Sequence, residues 1–254
     1  MTDRLAEARR LLAEEERALA AALRGERSRK RGALNRRLHE VRQALSPAYA
    51  YTSQAGQDFV VDRIFDGVRD LTFADIGGYD GLTGSNTLFL EERRGWTGIL
   101  VEPVARQIAK ARDLRFCPCI QCAVAPRDGE AEFIEIRDGY TQMSGLKDLY
   151  DPGILTEVRA HDRHDEAVTR VETRTLSRIL TEAGLPDPHF VSLDIEGGEL
   201  EVLANFPFDQ HEVQVWAIEN NTADTRLRGV MESVGYDLVE FCGPDEIYRL
   251  RDAN

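Results

Sequence analysis

Leu71-Thr72-Phe73-Ala74-Asp75-Ile76-Gly77-Gly78-Tyr79-Asp80-Gly81 decides the fold. Apolar side chains at 71, 73, 74 and 76 read as a buried strand, and the paired glycines end it in a turn. Working outward, a helical stretch at 86–94 leads into a second strand, Gly98-Ile99-Leu100-Val101-Glu102. A helix at 105–113 and a strand-like run at 120–125 follow. Asp128-Gly129 before Glu132-Phe133-Ile134-Glu135-Ile136 is a hairpin signal. Residues 137–170 are polar and read as irregular. Beyond them come a short helix at 175–183, a strand at 190–195, a helix opening at 198–205 and a strand at 213–219. Segments 236–241 and 246–250, separated by Gly243-Pro244, make a closing antiparallel hairpin. Strands alternating with helices predict a parallel sheet that binds ligands at the strands' carboxyl ends.

The turn itself narrows the ligand. A dinucleotide site needs glycines at the first, third and sixth positions, so that backbone N–H groups meet a pyrophosphate. Counting from Gly77, those positions hold Gly77, Tyr79 and Leu82, and the register fails. Asp75 and Asp80 would repel phosphate. They suit a ligand carrying positive charge, such as an amino acid joined to a sulfonium. Glu102, ending the second strand, is placed to accept both hydroxyls of a ribose. The terminal hairpin also marks the methyltransferase variant of the Rossmann fold rather than the dehydrogenase one.

Further segments follow in a fixed order. Ser53-Gln54-Ala55-Gly56-Gln57-Asp58 precedes the glycine turn, and Ser85-Asn86-Thr87 succeeds it. Gly95-Trp96-Thr97-Gly98 leads to Val101-Glu102-Pro103, and Leu193-Asp194-Ile195-Glu196-Gly197-Gly198-Glu199 completes the set. Over about residues 51–250 the chain resembles the FkbM-type family of S-adenosylmethionine-dependent O-methyltransferases. The resemblance implies an α/β, Rossmann-like class I methyltransferase fold with a mostly parallel seven-stranded sheet. It implies that Asp75, Gly77, Gly78, Asp80 and Glu102 surround the cofactor. Gln57, Ser85, Asn86 and Thr87 would shape the same pocket, and Ala123 would lie near the adenine. Gly78 and Tyr79 depart from the family's usual Ala and Asn, which should change packing beside the methionine moiety.

A second acidic cluster sits where such folds do chemistry. Asp194 and Glu196 end one strand; Glu219 and Asn220 end the next. Methyl transfer to oxygen requires a collinear acceptor, carbon and sulfur, and help for the hydroxyl in losing its proton. An alcohol is a very weak acid, so a cation that stabilises the alkoxide assists a carboxylate base. The arrangement is similar to metal-dependent sugar O-methyltransferases. Mapped by that similarity, Asp194, Glu219 and Asn220 would hold Mg²⁺ and Glu196 would be the base; the alternatives are catalysis without metal, or acids that only cap a helix. Glu199 reads as solvated, one turn into the following helix. Tyr140 and Ser144 open the irregular segment and are the candidate acceptor contacts.

Residues 3–45 contain no proline, aromatic or cysteine and are rich in Ala, Leu, Glu and Arg. Leu5, Leu12 and Leu19, then Leu34, Leu38, Val41 and Leu45, follow a coiled-coil spacing, broken near Gly25 and Gly32. The expected organisation is a basic helical hairpin or coiled-coil arm at 1–46 and a methyltransferase domain at 47–254. The net charge of −13 divides unevenly. The arm holds 12 basic and 7 acidic residues, net +5; the remainder holds 20 and 38, net −18. A body this acidic offers no track for nucleic-acid phosphate. No window is apolar enough for a membrane span or a signal peptide, so the expectation is a cytoplasmic protein without disulfides. Cys117, Cys119 and Cys122 read as inert thiols. The arm suits homo-oligomerisation through its leucines, or peripheral contact with an anionic partner. The reading is therefore transfer of a methyl group to a hydroxyl of a sugar, in a natural product or a cell-surface glycan. The rival is a scaffold that keeps the cofactor fold without catalysis.

Overall fold

The computed structural model describes residues 2–252; Met1, Ala253 and Asn254, which the ranges 1–46 and 47–254 include, lie outside the described residues. Two helices come first, α1 (Thr2–Gly25) and α2 (Lys30–Leu45). They run antiparallel, with Arg42 Nε 3.0 Å from Glu16 and Arg37 Nε 3.5 Å from Glu15. Leu12, Leu19, Leu23, Leu34, Leu38, Val41 and Leu45 pack between them, so most of the leucine seam is used within one chain. Leu5 and Leu11 stay exposed. Neither helix, nor any other among the described residues, is long and apolar enough to cross a membrane.

A short helix not anticipated from the sequence, α3 (Gln57–Ile64), leads into the body. The elements that follow are β1 (Thr72–Ile76), α4 (Leu88–Arg94), β2 (Thr97–Val101), α5 (Ala105–Leu114) and β3 (Cys119–Ile120). Next come β4 (Ala123–Val124), β5 (Gly129–Asp138), β6 (Gly145–Leu146), α6 (Pro152–Arg159) and β7 (Asp165–Arg174). The chain closes with α7 (Leu176–Glu182), β8 (Phe190–Leu193), α8 (Glu199–Ala204), β9 (Val215–Ile218), α9 (Thr225–Ser233), β10 (Tyr236–Cys242) and β11 (Asp245–Leu250). Helix starts follow capping chemistry: Asp151, Thr175 and Asp224 accept from the first-turn amides of α6, α7 and α9.

The main sheet has seven strands in the order β10-β11-β9-β8-β1-β2-β3, parallel except for β11. This is the Rossmann-like class I methyltransferase arrangement. Ala74, Ile76, Val191, Leu193 and Trp216 face a core under α7–α9, while Phe73, Leu100, Phe190 and Val215 face one under α3–α5. That alternation is the two-residue period of a strand buried on both faces.

Two sequence expectations fail in one place. The run at 120–125 is split, with β3 in the main sheet and β4 in a second sheet of order β4-β7-β5-β6. Asp128-Gly129 turns no hairpin between β4 and β5, because β5 pairs antiparallel with β7 and β4 pairs parallel with it. Much of 137–170 is therefore structured. The sequence of β7, Asp165 to Arg174, scatters its apolar residues among charges, and the strand is mostly half-buried or exposed, which gives no buried run to detect.

Candidate active site

Strand register builds the site. Ile76 pairs with Val101 and Leu193, and Leu193 pairs with Ile218. The residues one step beyond, Glu102, Gly77, Asp194 and Glu219, form a row across the carboxyl ends of β2, β1, β8 and β9. Asp245 extends it, since its neighbour Glu246 is paired with Ile218. The ladder continues into the row: Asp194 N–H donates to Ile76 C=O at 3.0 Å and Glu219 N–H to Leu193 C=O at 3.0 Å. Gly77 sits at its centre with φ +82°, and a Cβ there would overlap the Asp194 carbonyl. Close approach of two strand ends thus demands this glycine, independently of any ligand. A cavity of about 490 Å³ opens over the row.

Of the predicted cofactor residues, Gln57, Gly77, Asp80, Asn86, Glu102 and Ala123 line this cavity. Glu102 is buried and accepts from Tyr79 N–H at 3.1 Å and Val104 N–H at 2.8 Å. Burial pushes its carboxyl up to about 7 against those two hydrogen bonds. Asn86 donates to Ser192 Oγ at 2.9 Å, while its buried Oδ1 has no partner. Asp80 caps its own turn through Leu82 N–H and Thr83 N–H.

Asp75, Gly78, Ser85 and Thr87 do not line the cavity. Asp75 points to the opposite face of β1 from Ile76, accepting from Thr87 Oγ1 at 2.5 Å beside the fully buried Arg115 at 3.5 Å. Burial raises its carboxyl despite that guanidinium. Arg115 also donates to Ser85 Oγ, Thr87 Oγ1 and Gly81 C=O. Together they brace the turn. Gly78 is needed because a Cβ would strike the Leu100 side chain.

Asp194, Glu196 and Glu219 bring carboxylate oxygens within 4.8 Å of one another. Burial and the charge of Asp245 push Asp194 up to about 8, while burial and the charge of Asp194 hold Glu196 and Glu219 well above the usual carboxylate range. Glu196 adopts φ +57°, a left-handed conformation that costs a non-glycine residue energy and recurs at functional sites. Glu199 folds back to accept from Ile195 N–H and Gly197 N–H at 3.0 and 3.2 Å, holding this loop, and is not simply solvated. Asn220 does not line the cavity. It follows Glu219 and points the other way, donating to Glu246 at 2.8 Å and accepting from Asp224 N–H at 2.8 Å. Its amide is spent building the turn into α9, and Glu196 completes the cluster in its place.

The segment before β6 covers the cavity mouth. Tyr140 and Ser144 both line it, but Ser144 Oγ accepts from Ile136 N–H at 3.0 Å and donates to Thr141 C=O, which commits it to the loop. Tyr140 is exposed against His161, ring centroids 4.7 Å apart. Tyr79 Oη lies 2.7 Å from Thr141 Oγ1 and joins this cover to the cofactor turn. Sequence reasoning missed Asp245, which hydrogen-bonds Gln57 at 2.9 Å, and Asn221, whose amide lies 3.4 Å from Glu196. It also missed Arg36 of the arm. Only the strand register, invisible in the linear order, brings Asp245 into the row. All four cysteines are free, and burial raises Cys122 to about 11, well away from reactive thiolate.

The methyltransferase FkbM domain matches residues 75–238, well over half of the chain. The chain belongs to the FkbM methyltransferase family. Three solved proteins are similar to it. An FkbM methyltransferase from Methylobacillus flagellatus KT is 13% identical, covering 93% of this chain and 58% of that one, with a TM-score of 0.47. Precorrin-6y C5,15-methyltransferase from Geobacter metallireducens GS-15 is 14% identical, over 77% of this chain and 87% of that one, TM-score 0.41. A TehB-like S-adenosylmethionine-dependent methyltransferase from Corynebacterium glutamicum is 12% identical, over 86% and 99%, TM-score 0.41. No curated protein matches the chain.

An FkbM methyltransferase uses S-adenosylmethionine, and this cavity fits it. Six carboxylates line the wall (Asp80, Glu102, Asp194, Glu196, Glu219 and Asp245) against one guanidinium, Arg36. That balance suits a cationic sulfonium and ammonium and repels a pyrophosphate. Glu102 keeps free lone pairs at the β2 end, and the unpartnered Asn86 Oδ1 awaits a donor.

Proposed function

We propose that this FkbM methyltransferase methylates a hydroxyl of a small-molecule sugar acceptor, and that Glu196 is its general base. The observation that supports this most is the convergence of Asp194, Glu196 and Glu219 on the same cavity as Glu102. When bound, S-adenosylmethionine supplies an electrophilic methyl on a sulfonium sulfur. Asp80, Asn86, Glu102 and Ala123 would hold it near the β1 and β2 ends, with Gln57 lining the same cavity beside Asp245. Glu196, held beside Asp194 and Glu219, would accept the hydroxyl proton. Tyr140, Thr141 and Tyr79 cover the cavity and limit water.

Asp194 and Glu219 would fit two positions of an octahedral Mg²⁺ shell, with waters completing it and Glu196 left as the base. A cation there would stabilise the acceptor's alkoxide. Self-association through the arm would have to use Leu5 and Leu11, since the rest of the seam is packed within the hairpin.

Calorimetric titration with S-adenosylhomocysteine tests the cofactor reading, and absence of binding at millimolar ligand would overturn it. In a methyl-transfer assay over a panel of sugars, Glu196→Gln should lower turnover by about 10²–10⁴-fold with homocysteine-cofactor affinity almost unchanged. Retained turnover would remove Glu196 as base. Loss of activity in EDTA, restored by Mg²⁺, would establish the cation.

A further inference from the structure

The arm reaches the active site. Gly243 N–H donates to Gly32 C=O at 3.0 Å, and a Cβ at Gly32 would overlap the Gly243 oxygen. Around that contact Arg29 donates to Glu246, Asn220 C=O and Pro244 C=O, Arg31 to Glu240 at 2.5 Å, and Asn35 to Phe241 C=O at 2.7 Å. Helix α2 is therefore fixed in place against the β10–β11 turn. Arg36 lies one turn beyond Gly32, on the same face. Its guanidinium occupies the space left open at Gly243, Nη2 lying 3.1 Å from where a Cβ would stand.

Every other arginine on this side of the arm is committed: Arg29 and Arg31 to the body, Arg37 to Glu15 and Glu40, Arg42 to Glu16. Among the described residues Arg36 has no ion pair and no side-chain hydrogen bond. It lines both the acidic cavity and an outer groove of about 470 Å³ formed with Ala33, Arg37, Glu40, Gly243 and Pro244. Asn221 lines both spaces as well, and its amide reaches Glu196. Arg36 and Asn221 thus stand at the boundary between the cavity that holds the proposed base and the outer groove. That boundary lies at the β9 and β11 side of the row, across the carboxylate cluster from Glu102. From β2 to β11 is four strand spacings, roughly 19 Å.

We infer that Arg36 binds an anionic group of the acceptor, a phosphate or a carboxylate, while the acceptor's hydroxyl lies at Glu196. The inference rests on the proposed acceptor site. It assigns specificity to a residue of the arm, outside the 75–238 region common to the family. A guanidinium is suited to either anion because its planar donors match two oxygens at once.

The test uses the full chain and three probes: inorganic phosphate, glucuronate and glucose, each titrated with and without saturating S-adenosylhomocysteine. At least one anionic probe should bind about tenfold or more tightly than glucose. Arg36→Gln should remove that difference and Arg36→Lys should retain part of it, with S-adenosylhomocysteine affinity unchanged in both. A preference for phosphate or for glucuronate identifies which anion the site takes. Equal binding of all three probes, or a preference that survives in Arg36→Gln, overturns the inference. So does an Arg36→Gln variant that loses S-adenosylhomocysteine affinity while keeping that for 5′-methylthioadenosine, since Arg36 would then hold the cofactor's own carboxylate. If S-adenosylhomocysteine fails to bind at all, the cofactor reading falls, and the titrations without it still decide Arg36.

Discussion

A guanidinium with no exposed surface, that of Arg115, lies against Glu91 at 2.5 Å and Asp75 at 3.5 Å. Glu91 also accepts from Cys117 N–H at 2.7 Å, so one cation ties the end of α5, the α4 helix and the cofactor turn together. Removing it leaves two buried carboxylates without their countercharge. Arg115→Met should therefore cost about 3–5 kcal/mol in urea unfolding, and a loss below about 1 kcal/mol would show that the cluster holds together without it. The sequence shows an acid at position 75 but not which face of the strand carries it. Asp75 and Ile76 are adjacent in a strand and point to opposite sides, as do Glu219 and Asn220. In both pairs the linear order puts side by side two residues that the strand separates.

At the scale of elements, Gly32 reads in sequence as a helix breaker and a turn boundary, at a cost of about 1 kcal/mol in a helix interior. In the structure it lies in the first turn of α2, where only a residue without Cβ lets the helix touch the β10–β11 turn. Gly32→Val should force the arm away from the body. Hydrogen exchange of the β10–β11 turn and of α2 amides should speed up, while β1, β2 and β8 keep their protection. Unchanged exchange at Gly243 would show that docking does not depend on this contact. The core strands were legible because each is a short apolar run ended by a glycine or an acid. β7 was not, because Val168 and Val171 are spaced among charges and the strand pairs with β5, over thirty residues earlier. Pairings that distant leave no local signal.

Across the molecule, charge is arranged by job as well as by sign. The +5 arm meets the −18 body through Arg29–Glu246 and Arg31–Glu240, and among the described residues the acids of the cavity row form no ion pair. Buried acids with raised folded-state pKa values bind protons more tightly folded than unfolded. Their effect on stability is absent below the unfolded pKa and grows unfavourable as pH rises through the folded one. Glu102 moves from 4.5 to about 7 and Asp245 from 3.8 to about 6. Asp194 moves from 3.8 to about 8, so without ligand stability should fall between about pH 4 and pH 8, Glu102 alone contributing about 3 kcal/mol across its window. Glu102→Gln should flatten that slope in thermal unfolding measured at pH 5, 6, 7 and 8. The cofactor brings its own countercharge, so S-adenosylmethionine, whose sulfonium is positive, should raise the Tm at pH 8 more than neutral-sulfur S-adenosylhomocysteine does at equal saturation. Equal protection by the two would mean that the carboxylate row does not sense the sulfonium. The six acids of the cavity would then owe their placement to the acceptor side alone.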